Sequence, residues 1–119
     1  MCIRDSFDPV GGDVFDESTR CIAFDGRLLV IGFTSGRIAR IATNIPLIKA
    51  FSVVGVRAGE YARRFPERGR ENLDAIWNLA AAGKTRPHVQ AELSLDQFRA
   101  GFAMLTTRQV IGKAVLTLD

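Results

Sequence analysis

Residues 26–37 read GRLLVIGFTSGR, and the fold follows from how that stretch is built and how it ends. Leu28, Leu29, Val30 and Ile31 form an uninterrupted apolar run. A strand with one wet face alternates apolar and polar residues, whereas a parallel strand covered on both faces does not. The run therefore predicts a buried parallel strand. It stops at Gly32-Phe33-Thr34-Ser35, which by itself reads as a turn, although a glycine there can bring backbone close to a ligand and two hydroxyls offer hydrogen-bond donors.

The flanking sequence supplies the rest of an α/β unit. Asp8-Pro9-Val10-Gly11-Gly12 is a turn cluster. Asp13 is placed to cap a helix, with Asp16 and Glu17 in its first turn and Val14, Phe15, Ser18, Cys21 and Ile22 along one face. Asp25-Gly26 is expected to turn the chain into the apolar strand. Residues 44–50 read as a short helical turn around Leu47 and Ile48, and 51–56 as a second, β-branched strand. Helices alternating with such strands predict a parallel sheet.

Downstream, Pro66 suits the first position of a helix, where its missing N–H has no intrahelical partner anyway. Leu73, Ile76, Trp77 and Ala80 recur at helical spacing, and Gly83 suits the position just past the helix end. Residues 87–93 read as extended. Ser94-Leu95-Asp96-Gln97 is a capping box with Leu93 and Phe98 as its hydrophobic staple. Phe98, Phe102 and Leu105 line the helix that follows, and 111–118 closes as a strand. Trp77, Phe98 and Phe102 are expected in a core, as is Cys21 on its helix, with His88 in a surface loop and Lys113 in the closing strand.

Composition narrows the function classes. The chain has 119 residues, 47% of them hydrophobic, which predicts about one globular domain. Cys2, Cys21 and the single His88 make no zinc-ligand spacing. The apolar runs are too short to span a membrane and no secretory leader pattern is visible, so the expected location is the cytoplasm. The net charge is +3, from thirteen arginines and three lysines against thirteen acids. Only Arg63, Arg64, Arg68 and Arg70 cluster, and no basic stripe with interleaved aromatics appears, so neither a nucleic acid nor a membrane is an expected partner. Residues 1–6, MCIRDS, read as a foreign hexapeptide of the kind that translated adapter sequence leaves, and are set aside from the fold reading.

Four segments in order, DPVGGDVF, GRLLVIGFTSG, VVGVRAGEY and the closing IGKAVL, resemble the C-terminal part of the medium-chain dehydrogenase/reductase superfamily. The branch is similar to the zinc-independent, zeta-crystallin-like quinone oxidoreductases, and the resemblance covers residues 7–119. It implies the second half of a Rossmann doubly wound parallel sheet over 7–63, then the return segment of a GroES-like catalytic domain over 64–119. The Gly-rich dinucleotide fingerprint of such enzymes has no counterpart in this sequence. The resemblance implies a parent enzyme that transfers hydride from NADPH, with NADH as the other nicotinamide left open, to a quinone or related activated alkene or carbonyl. It implies no metal, and a fragment that is inactive alone.

Cofactor contacts carried over from the resemblance fall on Gly32, Phe33, Thr34 and Ser35 on the nicotinamide-ribose side, and on Val56, Arg57 and Ala58 flanking the ring. Pro9 and Val10 end another strand nearby, and Arg108 stands where some relatives reach the cofactor. No catalytic residue is expected within these residues. The strand at 52–56, apolar and uninterrupted by charge, is expected at a sheet edge, covered by a second copy of the chain. The other readings are an enoyl-thioester reductase of the same superfamily and a non-catalytic dimerising half-domain.

Overall fold

The computed structural model describes residues 3–118; Met1, Cys2 and Asp119 lie outside them. The chain divides into two compact units, Met1–Pro66 and Glu67–Asp119.

The first unit is a three-stranded parallel sheet of β1 (Ile3–Asp8), β2 (Ile22–Val30) and β3 (Ser52–Gly55), in that spatial order. Helix α1 (Gly12–Cys21) connects β1 to β2, and α2 (Asn44–Lys49) lies between β2 and β3; α3 (Ala58–Arg64) follows. Leu28 at the centre is fully buried, with Phe15 of α1, Ile22 and Phe51 around it and Ile45 of α2 packed against them. These apolar contacts supply the burial that holds the sheet and its helices together. Across the sheet Phe7 pairs with Leu29 and Leu29 with Val54, and on that row Phe7 stays 68% exposed. Lys49 ties the crossovers together by donating to the carbonyls of Thr19 (2.7 Å) and Arg20 (2.8 Å) at the end of α1, where a cation also complements the helix dipole.

Three local expectations change. Residues 3–6, set aside in the sequence, are part of β1. Their polarity has a cross-strand cause: Asp5 pairs with Arg27 on β2 at 2.9 Å, and that guanidinium holds the Asp5 carboxyl below its usual range. Asp25-Gly26 does not end a strand but sits inside β2, where the register with β1 shifts between Ile3 and Asp5. Asp25 takes a left-handed φ of 58° and its N–H donates to Ala50 O at 2.7 Å, so the kink is satisfied from the far side of the unit. Asp13 lies in the first turn of α1 rather than at its cap; Gly11 caps the helix without a side-chain bond.

The second unit holds α4 (Pro66–Ala81), β4 (Val89–Ser94), α5 (Phe98–Thr106) and β5 (Lys113–Thr117), with β4 and β5 parallel. Pro66 opens α4 and Gly83, at φ 68°, follows its end. The capping box forms: Gln97 Oε1 accepts from the Ser94 N–H and hydroxyl, both at 3.1 Å, and a single 3-10 turn at Leu95–Gln97 leads into α5. Leu93, Phe98, Gly101, Leu105 and Leu116 line an apolar recess between α5 and the two strands. The expected core aromatics are not buried: Trp77 is 65% exposed and Phe102 63%, and Phe98 is also exposed. The reason is that α4 buries none of its residues and only Gly101 of α5 is fully covered. Cys21 is half-buried and His88 is exposed; Lys113 lies in β5, its N–H donating to His88 O at 2.9 Å. No helix among the described residues is long and apolar enough to cross a membrane.

Candidate functional site

The register of the sheet assembles the site. Asp8 pairs with Val30 and Val30 with Gly55, so all three parallel strands end on one line. The residues that follow, 9–12, 31–36 and 56–58, therefore leave the sheet at one carboxyl edge. That edge is where open α/β sheets hold ligands.

Gly32, Phe33, Thr34 and Ser35 form a tight turn closed by the Gly36 N–H on Phe33 O at 2.9 Å. The turn is strapped to the one after β1. The Thr34 N–H donates to Pro9 O (3.2 Å) and the Ser35 N–H to Val10 O (3.0 Å). A Cβ at Gly32 would lie 3.2 Å from Pro9 O, and one at Gly12 would lie 2.7 Å from Ser35 Oγ. A side chain at Gly32 would crowd the Pro9 carbonyl, and Gly12 takes a positive φ of 56° that favours glycine, so the two turns approach closely where glycines stand. Arg37 closes the turn from the other side, bridging Asp13 (2.8 Å) and Asp16 on α1; these carboxylates, Asp16 first, raise its pKa.

The side chains, not the amides, are what this turn offers. The Thr34 and Ser35 N–H groups are already used, while the Thr34 hydroxyl makes no hydrogen bond among the described residues. Ser35 Oγ sits only at long range, 3.4–3.5 Å, from the Arg37 backbone, and Phe33 is half exposed. On β3, a Cβ at Gly55 would meet nothing within 4 Å, so the sheet end there is open. The Val56 N–H returns to Val30 O at 3.0 Å, Arg57 O accepts from the Tyr61 N–H to start α3, and Ala58 is the first residue of that helix rather than a strand end. Pro9 and Val10 belong to the same edge and act through their carbonyls. Two adjacent hydroxyls, a half-exposed apolar ring and an open strand end are what this edge presents.

Arg108 belongs to the second unit. It occupies a left-handed position, φ 56°, after α5, with its N–H on Leu105 O at 3.1 Å. Among the described residues no group of three or more His, Cys, Asp or Glu side chains is placed to hold a metal ion, so the residues present do not fit a zinc site and no step here is routed through one.

Sequence reasoning missed one residue at this edge. Asp8 is 1% exposed, and its Oδ1 accepts from the Val10 (2.9 Å) and Gly11 (2.8 Å) N–H groups. An aspartate two and three residues ahead of a turn's amides is the signature of an Asx turn, and DPVGG carries it.

A family described as zinc-binding dehydrogenase matches residues 6–116. A quinone oxidoreductase-like protein 2 homolog of Nematostella vectensis is 37% identical over 108 residues, 90% of this chain and 30% of that protein. The crystal structure of a probable oxidoreductase from Mycobacterium abscessus is similar at a TM-score of 0.76 and 30% identity, over 98% of this chain and 33% of that one. The Escherichia coli quinone oxidoreductase complexed with NADPH shares the fold at a TM-score of 0.78 and 23% identity, over 97% of this chain and 36% of that one. The chain thus spans about a third of the length of the relatives it matches.

Proposed function

The chain belongs to the zinc-binding dehydrogenase family, within the medium-chain dehydrogenase/reductases, and from that premise we propose that it forms part of an oxidoreductase passing hydride from NADPH to a quinone or related activated alkene or carbonyl. On this reading residues 7–63 contribute the second half of a nucleotide-binding sheet, and the residues beyond them a return to a catalytic domain. The observation that carries it is the common line on which Asp8, Val30 and Gly55 end. The NADPH-complexed relative of the same fold supports the choice of cofactor.

When bound, the nicotinamide supplies the hydride, and the chain's residues position it. Thr34 and Ser35 donate hydroxyl hydrogen bonds to the ribose side. Phe33 shields that contact from water, and Val56, Arg57 and Ala58 border the ring at the open end of β3. No proton-transfer group is assigned among these residues.

In the whole enzyme, changing Thr34 and Ser35 together to alanine is expected to weaken NADPH binding by about tenfold, since each lost hydrogen bond contributes roughly 0.5–1.5 kcal/mol. Fluorescence titration checks it. An unchanged dissociation constant would reduce the 32–36 turn to a connection. Assaying quinones beside enoyl-thioesters separates the two substrate classes.

The edge at β3 supports a homodimer. Among the described residues β3 pairs on one side only, and Val53 and Val54 remain exposed. An apolar edge without lysine or proline invites pairing, and a two-fold contact feels each substitution twice. Val54→Lys or Val54→Pro is expected to turn a dimeric enzyme into a folded monomer. Sedimentation decides: a monomeric wild type, or a folded variant that stays dimeric, rejects this interface.

A further inference from the structure

We propose that Asp8 is the positioning residue of the carboxyl edge: its carboxylate fixes the turn at 9–12, and the carbonyls of that turn hold the Thr34–Ser35 loop in place. The inference rests on the cofactor reading only for its effect on NADPH; the positioning itself is independent of any ligand.

The bonds form a chain. Asp8 Oδ1 takes both the Val10 and Gly11 N–H groups at 2.9 and 2.8 Å, in a site where the residue is 1% exposed. These bonds orient the peptide groups whose carbonyls, Pro9 O and Val10 O, accept from Thr34 and Ser35. The Asp8 carbonyl itself accepts from Ile31 (2.9 Å) and Gly32 (3.4 Å), so the entry to the loop is held by the same residue. Left-handed φ values at Gly11 (70°) and Gly12 (56°) then fold the turn under the loop, where a Cβ at Gly11 would meet the Phe33 ring at 3.0 Å.

The second carboxyl oxygen discriminates this role from a general need for charge. Oδ2 is buried and accepts no hydrogen bond among the described residues. Asparagine keeps an Oδ1 acceptor for both amides and forfeits no bond at the other position, although its NH2 there is a buried donor without an acceptor among the described residues. Glutamate keeps the charge but carries the oxygen a methylene further from the amides.

The test is amide hydrogen exchange on the full-length enzyme without cofactor, followed by NADPH titration of the same variants. Asp8→Ala and Asp8→Glu are expected to lower protection at Thr34 and Ser35 by about tenfold or more, the signature of local opening. Asp8→Asn is expected to keep protection well above that of Asp8→Glu and Asp8→Ala. NADPH affinity should fall about tenfold in Asp8→Ala, the equivalent of one or two hydrogen bonds, and return in Asp8→Asn. Unchanged exchange at Thr34 and Ser35 in Asp8→Glu and Asp8→Ala overturns the proposal, as does an Asp8→Asn enzyme as impaired as Asp8→Glu. If Asp8→Ala does not fold, the Asn–Glu pair decides alone. Altered exchange with unchanged NADPH affinity leaves the positioning role standing and removes the cofactor reading of the loop.

Discussion

Purified as these 119 residues and mixed with NADPH and a simple quinone, the chain is expected to consume no nicotinamide above the blank. Three strand ends converge, but the groups they present are few. The amides of Thr34 and Ser35 are spent on Pro9 and Val10 carbonyls, which leaves two hydroxyls and a ring as the contacts of that turn. The sequence contains no G-x-G-x-x-G to wrap a pyrophosphate. Hydride transfer depends on holding donor and acceptor in a near-attack arrangement, an advantage of roughly 10⁵–10⁸ M in effective concentration. A single turn, proposed to touch only one side of the cofactor, supplies little of it. Turnover proportional to added chain, and lost when Thr34 and Ser35 become alanine, would show that this edge suffices by itself.

Leu28→Ala is expected to abolish cooperative melting of the first unit. Leu28 is completely buried, and only Phe15, Ile22 and Phe51 are buried apolar side chains beside it among the described residues. Truncating a buried leucine removes about 2–5 kcal/mol through lost transfer energy and the cavity left behind. Whole domains are stable by only about 5–15 kcal/mol, and a core of this size belongs at the bottom of that range. Leu47→Ala, at a position 79% exposed, is the control and should shift stability by less than about 0.5 kcal/mol. Thermal melts followed by circular dichroism separate the two. A Leu28→Ala chain that melts at the wild-type temperature would mean that the core around Phe15 contributes nothing.

What the sequence made legible was mostly local chemistry. The run at 28–31 announced a parallel strand because continuous apolarity has few other uses at that length, and the structure pairs it in parallel on both sides. Pro66, Gly83 and the Ser94–Gln97 box marked helix ends through their own backbone preferences. The errors lie where a distant partner overrides the local signal. Asp25-Gly26 looks like a turn because both residues tolerate left-handed φ, but its N–H is claimed by Ala50 and the strand continues. Ser6 and Asp5 look unfit for a buried sheet until Arg27, far along the chain, answers the charge. Helical periodicity identified the apolar side of α4 correctly as a stripe, yet periodicity cannot say whether anything within the chain covers it, and Trp77 stands exposed. At the candidate site, Thr34 and Ser35 were visible as polar residues ending an apolar strand. Asp8 was not, since an acid beside proline and glycines reads as solvent-facing turn and its burial is set by the neighbouring strand.

In the first unit the order of strands across the sheet is the order in which they are synthesised. Such a sheet can grow vectorially. Each strand, on leaving the ribosome, docks on the edge laid down just before it, and none has to thread between two already paired. At about 5–20 residues per second, β1 waits only seconds for β2, and β2 for β3. Apart from the outer side of β1, the margin of the nascent sheet is thus its newest strand, and the last such margin is β3, the edge proposed to meet a second copy. If the proposed pairing holds, it is thereby deferred until the three strands are in place, and a ribosome that stalls between β2 and β3 would expose Arg27 to Val30 as the templating edge instead.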